Sequence, residues 1–158
     1  MSQAQERLRK IFNEHCLSLL EFFYDEKISF SLICYQKDVE FSPDLPSEIT
    51  SKFNEIVNFY IGGYTLDSLM VKEIGDEDFL FFEAGFGPDN IGTLVTININ
   101  NIQAIGKKLD NGNEIIIFTR SFNLDSMEES KKDNFDPIFS NPHNLKVLEN
   151  LKNKKWVS

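Results

Sequence analysis

Cysteine, proline, tryptophan and positive charge are all scarce in this chain. Two cysteines occur among 158 residues, Cys16 and Cys34. Both sit inside apolar patterns, where cysteine acts as a small hydrophobe, so a disulfide framework is not expected. No apolar run approaches the ~20 residues that a bilayer-spanning helix needs. The first ten residues are polar, with Glu6, Arg7, Arg9 and Lys10, and no uninterrupted apolar stretch with a small-residue cleavage site follows. A secretory leader is therefore not expected. Against 25 acidic side chains there are only 16 basic ones, a formal net charge of −9. Such a surface repels phosphate backbones and argues against a nucleic-acid partner. The expectation is a cytoplasmic protein with no membrane association.

Catalytic signatures are missing as well. The two histidines, His15 and His143, lie in a helical pattern and in a polar stretch, with no spacing to Cys or carboxylates that suggests a metal. No nucleophile elbow, phosphate loop or dinucleotide fingerprint occurs. The segment Phe86-Gly87-Pro88-Asp89-Asn90-Ile91-Gly92 has two glycines but joins two strand patterns and lacks the following helix that would hold a phosphate. The acidic runs Asp76-Glu77-Asp78 and Asp125 to Glu129 read as solvated turns. The chain is expected to be no enzyme, with no catalytic residue, no metal and no cofactor.

What the chain does have is aromatic and apolar content, 41% hydrophobic with 15 Phe, enough for one globular core. Residues 4–26 repeat apolar side chains at three and four: Leu8, Ile11, Phe12, Cys16, Leu19, Leu20, Phe23. That spacing predicts a helix. Leu17, Phe22 and Tyr24 widen its apolar surface, which suits either a helix deep in one core or one that also meets a second subunit. From Ile28 the period becomes two, a strand through Cys34. Residues 46–61 fit a helix through Ile49, Phe53, Ile56 and Tyr60, or a strand through Val57, Phe59 and Ile61, and stay open at this level. Ser68 to Ile74 and Phe79 to Phe86 read as two strands around a Gly75–Asp78 turn. Thr93 to Ile99 is another strand, and Asn101 to Gly106 a helical turn or bend. Asn111-Gly112 marks a tight hairpin before Ile115 to Phe118. The body is thus α+β and mainly β: an N-terminal helix, then an antiparallel sheet expected to curl into a barrel.

Beyond Phe118 the character changes. Residues 119–158 carry a net +1, which leaves −10 on residues 1–118, and residues 145–158 alone carry +3. Residues 119–144, rich in Ser, Asn, Asp and Glu with Pro137 and Pro142, read as a flexible linker. Residues 145–158 read as a basic terminus with apolar anchors, free on its tether or folded back on the sheet. In the Phe79–Phe86 strand, Ala84 and Gly85 stand between Phe82 and Phe86. Small residues there leave room either for another backbone or for a crowded corner. An extended peptide adding to such a sheet is the binding mode this pattern suits.

Phe82-Glu83-Ala84-Gly85-Phe86-Gly87 resembles the F-x-A-x-F-G strand of the stringent starvation protein B (SspB) family. Members of that family are adaptors that deliver ssrA-tagged proteins to the ClpXP protease. Leu19 to Ile33 is similar to the end of the family's first helix and first strand, and Asp44-Leu45-Pro46 falls at its apolar-Pro step. Ile56 to Ile61 matches a strand, and Ile102 to Ile105 with Asn111-Gly112 and Ile115 to Phe118 resembles the end of the core. Val147 to Lys155 is like the basic tail motif of one family branch. The resemblance departs at Pro88, at Gly85 and at Asn98-Ile99. It implies a homodimer of Sm-like, partly open β-barrels with the first helix near the dimer contact. It implies a groove for ssrA-like tagged polypeptides at Phe82, Ala84, Phe86 and Gly87. It also implies a docking tail for the ClpX unfoldase at Leu145, Val147, Leu148, Leu151, Lys152, Lys154 and Lys155, and it favours the strand reading of 56–61. The alternative is a secretion-type chaperone, also a small acidic dimer, which holds a partner chain extended but has no use for a basic docking tail.

Overall fold

The computed structural model describes residues 2–120. Helix α1 spans Gln3–Glu26. Ser2 starts it with a reciprocal capping box: its hydroxyl accepts from the Gln5 backbone N–H, and the Gln5 side chain accepts from the Ser2 N–H. Lys27 ends it in the left-handed conformation, with the Ile28 N–H returning to the Phe23 carbonyl. Cys16, Leu20 and Phe23, at i, i+4 and i+7, form the buried stripe. Ile11 and Phe22, from the expected apolar surface, are instead 59% and 50% exposed.

Eight strands follow: β1 (Phe30–Tyr35), β2 (Val39–Ser42), β3 (Ile56–Ile61), β4 (Met70–Ile74), β5 (Glu77–Phe86), β6 (Ile91–Asn98), β7 (Ile102–Lys108) and β8 (Glu114–Thr119). Two short helices, α2 (Ser47–Thr50) and α3 (Gly63–Asp67), flank β3. The open stretch 46–61 thus holds both of its readings in turn, a helical turn at Ile49 and a strand from Ile56. Asn101 to Gly106 is mostly strand β7, with a 3-10 turn at Ile99–Asn101 ahead of it. Gly112, at φ 87°, turns the β7–β8 hairpin, which spans five loop residues and not the two of a tight turn. Similarly, Glu77 and Asp78 belong to β5 and not to the turn before it.

All strand pairings are antiparallel and form two four-stranded sheets, β3-β1-β7-β8 and β2-β6-β5-β4. The sheets are not closed into a barrel. β8 and β4 are outer strands, and α1 touches both. Phe12 and His15 meet Phe118 of β8, ring centroids 6.2 and 5.4 Å apart, and Leu17 and Leu20 line a hollow with Met70 and Val71 of β4. β3 and β2 are the other two outer strands, and no ladder joins the two sheets. Between the sheets Leu32, Phe59, Leu80, Phe82, Val95, Ile97 and Ile105 are buried with the α1 stripe. Burying each such side chain is worth about 1.5–3 kcal/mol.

At the last described residue, Arg120 donates from Nε to the Ile102 carbonyl (2.6 Å), from Nη1 to Asn13 Oδ1 (2.8 Å) and from Nη2 to the Ile99 carbonyl (3.1 Å). These bonds tie the end of β8 to α1 and to the 3-10 turn. The folded body so includes Thr119 and Arg120, two residues past the boundary at 118 expected from sequence. Among the described residues no helix is long and apolar enough to cross a membrane.

Candidate functional site

Strand β5 alternates Leu80, Phe82, Ala84 and Phe86 inward with Phe81, Glu83 and Gly85 on the outer face, as its register with β6 requires. The expected groove residues therefore divide. Phe82 is fully buried with its ring 5.6 Å from Phe59, part of the core and out of reach of a ligand. Phe86 is half-buried in a group of rings with Phe41, Phe53 and Phe59, centroids 5.6 to 6.0 Å away. Ala84 lies inward opposite buried Thr93. Gly87 opens the turn into β6 at φ 75°. The tail positions Leu145, Val147, Leu148, Leu151, Lys152, Lys154 and Lys155 lie outside the described residues.

The edge of β5 is more informative than its inner face. β4 pairs with β5 from Glu77 only as far as Phe81, opposite Met70. Two positions further in that register Ser68 falls opposite Glu83, and there the Glu83 N–H donates to Ser68 Oγ at 2.8 Å in place of a ladder carbonyl. That bond shows that Glu83 directs its backbone N–H away from β6. By alternation, the N–H and C=O of Gly85 face the same way, past the last β4 partner. Gly85 and Glu83 are exposed. β5 thus overhangs its neighbour by one backbone-bonding residue with no side chain, at the spot where α3 turns the chain aside.

A cavity of about 440 Å³ opens beside this overhang. Its floor includes the cross-strand pair Gly85 and Gly92, with Leu94 beyond. Tyr64 of α3 stands at one end, its hydroxyl donating to Glu83 Oε2. That bond to a carboxylate raises the Tyr64 pKa above the ordinary phenol value. The side chain of Asn90 lies over Gly85, where a Cβ would come within 3 Å of it. Thr93, at the far side, donates its hydroxyl to the Pro43 carbonyl at 2.7 Å, which satisfies its buried oxygen.

Glu83, Tyr64 and Asn90 were not singled out by sequence reasoning. The period of two already places Glu83 and Gly85 together, opposite to Phe82 and Phe86. Nothing in the sequence brings Tyr64, nineteen residues earlier, to the same place. Both cysteines are buried and remote in character from reactive thiols: burial pushes Cys16 up to about 11 and Cys34 to about 12. Comparison with family models, with curated proteins and with solved structures returns no match for this chain.

Proposed function

We propose that this chain is a peptide-binding adaptor of the SspB kind, taking ssrA-like tagged polypeptides in extended form and passing them to ClpX in the cytoplasm. The observation that carries the peptide-binding part is the overhang of β5 past β4. An edge with an outward N–H and C=O on a glycine lets another backbone pair with it, and the cavity beside it receives a side chain. The adaptor part rests on the F-x-A-x-F-G resemblance and on the basic 145–158 terminus. Two such tails on a homodimer would raise the local concentration of bound substrate at the unfoldase.

The test uses a fluorescent protein carrying an ssrA tag, a labelled tag peptide and ClpXP. Gly85→Pro removes the outward N–H at an edge position while leaving the β6 ladder its partners, so tag-peptide affinity should fall at least tenfold, about 1.4 kcal/mol. Deleting residues 145–158 should leave peptide affinity and cooperative unfolding unchanged and abolish the acceleration of degradation. Undiminished binding by folded Gly85→Pro would rule out the β5 edge. Loss of cooperative unfolding on truncation would make the terminus part of the fold and end the tethered-adaptor mechanism.

A further inference from the structure

The lining of the β5 cavity carries one ionic charge. Glu83 supplies a carboxylate, and the other polar groups at the cavity are neutral: hydroxyls of Tyr64, Ser42 and Thr93 and the amide of Asn90. No lysine or arginine lines it. The Tyr64 hydroxyl occupies Glu83 Oε2, which orients the carboxylate over the cavity, and among the described residues no hydrogen bond or ion pair engages its Oε1. At Gly92 the floor is open, and over Gly85 it is covered only by the neutral amide of Asn90, so a long side chain can cross beside that amide.

Resting on the β-edge reading above, we propose that the peptide taken at this edge places a lysine or arginine next to Gly85, its cation meeting Glu83. A strand paired to β5 puts alternate side chains on the outer face. The one level with Gly85 meets the neutral Asn90 amide and no charge, and stands two residues from Glu83 on that same face. The methylenes of a lysine or arginine cover Gly92 and the flank of Leu94, and the head reaches the carboxylate. An acidic residue at that position meets Glu83 as a like charge, and the −10 body adds to the repulsion. Selection therefore comes from both the attractive pair and the rejected anion.

The experiment is a peptide array probed with the full chain: seven-residue peptides of Ser, Ala and Leu whose central position is Lys, Arg, Gln, Glu or Asp. Lys and Arg peptides should be retained over the Gln peptide by about three- to fivefold, the range of an exposed ion pair, and over Glu and Asp by more. In Glu83→Gln that preference should vanish, and in Glu83→Lys it should invert. It should also shrink from 50 to 500 mM salt, as charge contacts in water do. A Lys preference that persists in Glu83→Gln would be general attraction to an acidic protein and would overturn the proposal. Binding that ignores charge yet is lost in Gly85→Pro would overturn it too, while leaving the edge reading in place. Retention of no peptide at all would overturn both.

Discussion

Cys16 and Arg120 show how much a single residue's meaning depends on its surroundings. In the sequence one is a small hydrophobe in a helical stripe and the other the second residue of a presumed linker. In the fold the guanidinium satisfies two backbone carbonyls and Asn13, and it lies close enough to Cys16 to favour the thiolate slightly. Desolvation wins nonetheless, and the Cys16 thiol stays protonated to about pH 11 and that of Cys34 to about pH 12. Both pKa values are raised above about 9, where a thiol ionises in the unfolded chain. The neutral thiols therefore contribute their full stability below pH 9, and that contribution fades as pH rises toward 11 and 12. Urea midpoints at pH 8 and pH 10.5 should accordingly differ more for the native sequence than for Cys16→Ala/Cys34→Ala. Equal pH dependence in the two proteins would show that the thiols are not the groups whose ionisation burial opposes.

Ala84 makes the same point about side-chain direction. The resemblance places it in a peptide groove, and its small size suits either an approaching backbone or a crowded corner. β5 sets Ala84 opposite Thr93, and both line the cavity beside Gly85, so a larger side chain there would meet the cavity as well as the interior. Gly85, one residue on, is the position that tests the edge.

At the scale of elements, the places of the turns at Gly75 and Asn111-Gly112 were legible, and the lengths of their loops were not. Alternation over Phe79–Phe86 and the Asn111-Gly112 turn follow from local φ/ψ preferences and the pleat. Elements set by distant partners were harder to read. Residues 46–53 form a helical turn whose Ile49 reaches the β5–β6 turn, so its role depends on a strand thirty-odd residues away. That contact gives Gly87 two reasons to be glycine: a φ of 75°, and an Ile49 Cδ1 that a Cβ would approach to 2.9 Å. Gly87→Ala should cost about 1–3 kcal/mol for the backbone strain alone, with the contact adding to it. Adding Ile49→Ala should recover only the contact part, so the double variant should be destabilised by less than the sum of the Gly87→Ala and Ile49→Ala effects. Full additivity in thermal or urea unfolding would mean that the two residues do not meet.

At the scale of the whole molecule the open question is what meets the apolar residues left outside. Ile11 and Phe22 stand three turns apart on one face of α1, with exposed His15 and Ser18 between them and no charged residue in that row. Exposed apolar side chains also lie on β8, where Ile115 and Ile117 on one face and Ile116 on the other are 36% to 55% exposed. The homodimer proposed above, with α1 at the contact, predicts a sedimentation-equilibrium mass of two 18.3 kDa chains at micromolar concentration. Phe22→Glu should reduce it to one chain. A native monomer would remove the homodimer. Dissociation by Ile116→Lys but not by Phe22→Glu would move the contact to the β8 edge.

The sequence by itself determined α1, the strands β1, β4, β5, β6 and β8 and the α+β class, because these follow from periods of 3.6 and 2 acting over a few residues. It also marked Phe82–Gly87 as the segment to watch. Only the tertiary structure decided that the strands divide into two four-stranded sheets with no closed barrel. Only it decided that β4 stops short of β5 and that Tyr64 and Glu83 meet at the gap. The reason is physical: where a strand loses its neighbour, and which side chains gather there, depends on the packing of elements that no local period records.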